Sequence, residues 1–158
     1  MLTTQIPQLR VDRVSLVASL GAQYLLQDIS FDVLAGSRLC IIGPSGAGKT
    51  SLLRLLNRLS ELTSGAIYLE NEDTRKIPVI QLRRQVMLVS QEPKLLGMTV
   101  REALAYPLKL QQHPQQHIEE RIKAIQALVH IPPDWLERTE LELSVGQRQL
   151  VAIARALI

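Results

Sequence analysis

Gly43-Pro44-Ser45-Gly46-Ala47-Gly48-Lys49-Thr50, followed by Ser51, carries the strongest chemical signal in this sequence. The run fits G-x-x-x-x-G-K-[ST], a spacing in which glycines curl the backbone so that successive N–H groups converge on phosphate oxygens. Lys49 brings a positive charge to the β- and γ-phosphates, and the Thr50 hydroxyl is placed to ligate Mg²⁺. The motif needs a buried strand before it and a helix after it. Arg38 to Ile42, which includes Cys40, reads as that strand, buried on both faces. Beyond the loop, Leu52, Leu53, Leu55, Leu56 and Leu59 recur at helical spacing, with Arg54, Asn57 and Arg58 on the other side. Alone, the loop specifies a nucleotide binder and leaves kinase, GTPase and motor open.

A second group narrows the choice. Leu143-Ser144-Val145-Gly146-Gln147 opens a helical run that continues through Leu157. A serine hydroxyl and a glycine N–H at a helix start make another anion-binding terminus, although a serine-capped helix without a ligand would read the same way. Gln91 follows the apolar stretch Val86 to Ser90, and Leu26-Gln27-Asp28-Ile29-Ser30-Phe31 precedes the loop. Together these segments, over nearly the whole chain, resemble the ATP-binding-cassette (ABC) ATPases. Leu143 to Gln147 stands at the family's signature motif and Gln91 at its Q-loop glutamine.

That resemblance implies an α/β fold: a P-loop NTPase (RecA-like) core with an antiparallel β subdomain and an inserted helical subdomain, incomplete at the C-terminus. Residues 1–91 would form the β subdomain and P-loop core, 92–143 the helical subdomain, and 144–158 the signature motif and the start of the helix returning to the core. It further implies ATP and Mg²⁺ as cofactors, Lys49 and Gln91 as catalytic residues, and Thr50 and Gln91 at the metal. Two cassettes, as a homodimer, would pair head to tail, so that Ser144 and Gly146 serve ATP held by the partner. A separate transmembrane permease would dock near the Q-loop and helical subdomain, placing the protein on the cytoplasmic face of the cell membrane. Leu95-Leu96-Gly97-Met98-Thr99-Val100 and Tyr106-Pro107 look most like small bacterial FetA-type metal-efflux cassettes.

Three departures stand against the family pattern. Val145 replaces the usual signature glycine. The aromatic residue that stacks on adenine should fall near Leu20, and Tyr24 is the nearest candidate. Walker B Asp, the catalytic Glu and the switch His are not found, so the chain alone is expected to hydrolyse no ATP. A pseudoenzyme that binds without turnover is one alternative. A soluble ABC protein of translation or DNA repair is another, disfavoured by the lack of sustained heptads between Gln91 and Ser144.

The surrounding elements must position these groups. Val11 to Val17 and Leu25 to Leu34 read as strands, Ala66 to Leu69 and Val86 to Ser90 as two more, and Gln81 to Arg84 as a short helix. Thr99 with Glu102 forms a capping box, and Pro114 to His130 a helix with Ile118, Ile122, Ile125, Leu128 and Val129 on one face. Glu119 and Lys123 are spaced to pair on its other side. The 158 residues suffice for one domain, and 46% hydrophobic content with 21% charge excludes a disordered chain. A formal charge of +3, spread without Lys/Arg runs, gives no footprint for nucleic acid. The lone cysteine excludes an internal disulfide. His113, His117 and His130 show no metal-ligand pattern.

Overall fold

A computed structural model describes residues 6–18 and 23–158 and divides into two compact units, the first ending at Leu88 and the second running Val89–Ile158. In the first, β1 (Leu9–Val17), β2 (Tyr24–Val33), β3 (Ser64–Leu69) and β4 (Glu72–Asp73) form an antiparallel sheet in the order β2-β1-β3-β4. Val11 sits opposite both Phe31 and Ile67, so the central strand sets the register of both neighbours. Its register shifts around Arg13, which has φ 46°, and β2 turns the same way at Asp28 with φ 51°. A serine on the opposing strand satisfies each disturbed amide: Arg13 N–H donates to Ser30 Oγ at 2.8 Å, and Asp28 N–H to Ser15 Oγ at 3.0 Å. Gly65 faces this bulge, where a Cβ would lie 2.3 Å from the Arg13 carbonyl oxygen. No side chain fits there.

Helix α1 (Lys49–Leu56) lays Leu52 and Leu55 against Val11, Val14, Leu26 and Ile67. Each such side chain, fully buried, contributes about 1.5–3 kcal/mol. The helix stops at Leu56, earlier than the leucine spacing predicts, leaving Leu59 outside it and exposed. Beyond β4, α2 (Val79–Gln85) covers a small cluster of Leu69, Ile77 and Leu82. Two arginines stitch α1 to this region: Arg58 donates to the carbonyls of Thr74 and Ile77, and Arg83 to those of Asn57 and Arg58.

The two expected inner strands are not formed. Arg38 to Ile42 carries no strand, Cys40 is exposed, and Ile42 is 86% exposed. Val86 to Ser90 is likewise irregular, with Met87 exposed. A parallel strand takes all its ladder hydrogen bonds from neighbouring strands, and among the described residues none lies beside either segment. Apolar runs of this kind cannot bury themselves.

The second unit packs α3 (Val100–Leu110), α4 (Gln115–Val129) and α5 (Val145–Leu157) around Val100, Leu104, Leu108, Ile118, Ile122, Ile125, Val151 and Ala154. Thr99 caps α3 with the predicted box, its Oγ1 accepting from Glu102 N–H while a Glu102 carboxylate oxygen accepts from Thr99 N–H. Helix α4 ends at His130, whose left-handed φ of 56° precedes Ile131 and the 3₁₀ turn Pro133–Trp135. Two readings of α4 need correction. Leu128 is exposed, since the buried stripe ends with Ile125 and the half-buried Val129. Glu119 also turns away from Lys123: it accepts from Gln115 at 2.7 Å and lies 3.5 Å from Arg101. Arg101, on α3, also pairs with Glu137 at 2.8 Å.

Candidate functional site

In the first unit the functional loop is shaped by β2 and the start of α1. Gly48 sits at the helix N-cap with φ 83°, and a Cβ there would come 2.7 Å from the Leu25 carbonyl oxygen and 2.8 Å from Leu26 Cδ2. The loop thus passes directly against β2, and only glycine permits that approach. Helix α1 has no side-chain cap and no acidic residue in its first turn. Its first intrahelical bond is Leu52 N–H to the Gly48 carbonyl, so the amides of Lys49, Thr50 and Ser51 have no partner within the helix. Three N–H groups and the positive end of the helix dipole remain for an anion.

Lys49 completes this cradle. Its ammonium donates to the Gly43 carbonyl at 2.8 Å and to the Pro44 carbonyl at 2.7 Å, closing the loop into a ring. An ammonium has three donors, so one remains free for a phosphate oxygen. Gly43, Pro44, Ser45, Gly46 and Ala47 are exposed, as is Thr50, and Ser51 is half-buried. The hydroxyl proposed for Mg²⁺ is thus accessible. Tyr24 opens β2 and is 53% exposed, free to offer its face to a ring; Leu20 lies outside the described residues.

In the second unit Ser144 caps α5: its Oγ accepts from Gln147 N–H at 3.2 Å, and Gln147 Oε1 accepts from Ser144 N–H at 2.8 Å. This box uses one lone pair of the hydroxyl and leaves its O–H free to donate. Leu143 is buried and anchors the approach, while Ser144, Val145 and Gly146 face solvent. Nothing lies within 4 Å of a Cβ built on Gly146, so the fold does not require glycine there. With glycine there, the helix terminus stays bare and its amides are open to an anion.

Gln91 is exposed in the same unit, and its neighbours are tied to α5 and the turn before it. Gln149 Nε2 donates to the Ser90 carbonyl at 3.4 Å, Arg155 Nη1 to the Lys94 carbonyl at 3.3 Å, and Leu95 N–H to Glu140 Oε2 at 2.7 Å. The structure therefore brings Gln91 and Ser144 into one unit, while the phosphate loop belongs to the other. Sequence reasoning missed Glu140, Gln149 and Arg155, because bonds across such separations leave no local pattern. His113 and His117 stack with ring centroids 4.8 Å apart, and no cluster of three metal-ligating side chains occurs among the described residues.

Comparison with known proteins gives the family and the fold. The sequence matches the ABC transporter family over residues 26–158. It is 35% identical to the glycine betaine/carnitine/choline transport ATP-binding protein OpuCA of Bacillus subtilis, over 94% of this chain and 39% of that protein. The spermidine/putrescine import ATP-binding protein PotA of Aggregatibacter actinomycetemcomitans is 37% identical over 91% of this chain and 38% of its own length. The chain thus spans well under half of either relative. Among solved structures, cbiO1 of Clostridium perfringens superposes with a TM-score of 0.84 over 96% of this chain and 61% of that one, at 24% identity. A dimeric post-hydrolysis state of the ATP-binding cassette MJ0796 gives 0.81 over 94% and 68%, at 25% identity.

Proposed function

This chain belongs to the ABC transporter family and has the cassette fold, and from that premise we propose that it is the ATP-binding, ATP-hydrolysing motor part of a transporter. One observation carries the proposal: an uncapped helix N-terminus whose loop is closed by Lys49 with one donor to spare. The amides of Lys49, Thr50 and Ser51 and the Lys49 ammonium would grip the β- and γ-phosphates of ATP. Thr50 would hold Mg²⁺, which supplies charge neutralisation at the phosphates. Lys49 and Gln91 are the catalytic candidates within this sequence.

A second copy of the cassette is the first partner. The bare α5 terminus, with the Ser144 hydroxyl and Gly146 amide turned outward, suits the γ-phosphate of ATP bound by that copy. No helix among the described residues is long and apolar enough to cross a membrane, so the transmembrane permease would be a separate chain or segment. Leu96 and Leu141, 73% and 90% exposed beside the Gln91 segment and the signature, supply an apolar surface for it. Such pairing places the cassette on the cytoplasmic side of the membrane. Substrate choice would lie with the permease.

Gly146→Asp tests the reading. The space around Gly146 is open, and a carboxylate in the first turn of a helix is favourable, so the fold should hold. ATP binding by the single cassette should stay unchanged, and ATP-driven pairing, read by light scattering, should disappear through like-charge repulsion at the γ-phosphate. Adding Ser144→Ala should leave that outcome the same. Equal pairing by variant and wild type in ATP-Mg²⁺ would overturn the assignment.

A further inference from the structure

Three contacts hold the short segment that carries Gln91, and all three come from α5 or the turn leading into it. Gln149 takes the Ser90 carbonyl, Arg155 the Lys94 carbonyl, and Glu140 the Leu95 amide. The Glu140 contact differs in kind. It is a carboxylate accepting a backbone N–H at 2.7 Å, a charge-assisted bond, and the amide belongs to a residue only 2% exposed. Were Glu140 lost, that buried N–H would have to find another acceptor.

Glu140 is itself fixed from several directions. It begins the 3₁₀ turn Glu140–Glu142, which Thr139 and Glu142 close with their own capping box. Thr139 bridges to Thr99, and Val100 N–H donates to the Arg138 carbonyl at 3.0 Å, so the segments around Leu95 and Glu140 run side by side. The Glu140 carbonyl in turn accepts from Arg148 Nη1 at 3.3 Å, in the first turns of the helix that Ser144 caps. One residue thus grips the Gln91 segment with its side chain and the signature helix with its backbone.

We propose that Glu140 is a positioning residue: it locks the Gln91 segment to the signature helix so that both present to ATP as one body. Resting on the cassette reading above, this assigns Glu140 no contact with nucleotide. It acts through Leu95 and Arg148. When a γ-phosphate engages Ser144 and Gly146, the displacement passes to Gln91 without slack. Nucleotide affinity rests on the loop amides and the Lys49 ammonium, groups that Glu140 does not hold.

Amide exchange on the 158-residue chain, paired with the ATP-driven association assay, separates the possibilities. In Glu140→Ala the Leu95 amide should exchange at least about tenfold faster while the buried amides of α3 keep their protection. Glu140→Gln retains an acceptor oxygen and should stay within about threefold of wild type. Glu140→Ala should pair several-fold less at saturating ATP with unchanged ATP affinity, and Glu140→Gln should restore pairing. Exchange at Leu95 unchanged in Glu140→Ala would overturn the proposal. So would a glutamine variant as defective as the alanine, or a loss of protection spread over all of α3 and α4. Failure of the wild type to bind ATP would instead sink the cassette reading, and the exchange result would still decide whether Glu140 joins the two segments.

Discussion

Alanine at Gly48 and at Gly46 should have unequal effects, although both glycines have nearly the same backbone, φ 83° and 82°. Either substitution forces a side chain into the left-handed region, at about 1–2 kcal/mol. At Gly46 nothing lies within 4 Å of the new Cβ, so the cost ends there. At Gly48 the methyl would meet the Leu25 carbonyl oxygen at 2.7 Å and Leu26 Cδ2 at 2.8 Å. One obstacle is β2 backbone and the other a core side chain, only 7% exposed, so neither can swing aside freely. Overpacking of this sort adds about 1–3 kcal/mol. Gly48→Ala should therefore lose about 2–5 kcal/mol, a large part of a domain's net stability of about 5–15 kcal/mol. It should also push the start of α1 away from β2 and weaken nucleotide binding more than Gly46→Ala does. Urea unfolding of the first unit measures the difference, backed by a titration with a fluorescent ATP analogue. Equal midpoints for the two variants would refute the close approach of loop and strand.

Other perturbations probe the elements that support the site. Thr99→Ala removes the α3 cap and should cost about 1 kcal/mol in urea unfolding of the second unit, with Thr99→Ser close to wild type. A side-chain hydrogen bond from Arg75 holds the Asp73 carboxyl below the usual carboxylate range. Its stabilising effect is complete above the ordinary carboxylate pKa, about 3.9, and is lost as pH falls through the lowered value. Circular dichroism from pH 5 downward should show the β3–β4 hairpin of Asp73→Asn losing this acid dependence. Leu128→Lys on the exposed face of α4 should leave stability within about 0.5 kcal/mol, whereas Ile122→Ala on the buried face should cost about 2–5 kcal/mol.

The glycine loop opening into α1, both serine and threonine caps, the antiparallel strands and the extent of α4 could be read directly from the sequence. Each is decided within a few residues: a glycine at a positive φ, a Thr-x-x-Glu box, an alternation along one strand. Arg38 to Ile42 and Val86 to Ser90 are different. Their apolar runs state what the residues would do beside other strands, and burial depends on those strands being there. The exposed Cys40 and Ile42 follow from that dependence. The strand β4, only two residues long, left no pattern to find. Glu119 lies by Arg101, a partner on another element that helical spacing within α4 cannot reveal. Glu140 and Gln149 stayed hidden for the same reason: their partners are backbone atoms far along the chain.

Nucleotide binding by the chain and by Lys49→Ala tests the central claim most directly. Two of the three ammonium donors already close the loop, so the substitution removes both the ring and the charge facing the phosphates. Charge-assisted contacts of this kind are each worth about 1.5–3 kcal/mol, which predicts a loss of ATP affinity of at least about tenfold. Isothermal titration with ATP-Mg²⁺ should show saturable binding by the wild type and that loss in the variant. Affinity for ATP within about twofold of wild type in Lys49→Ala would contradict the account.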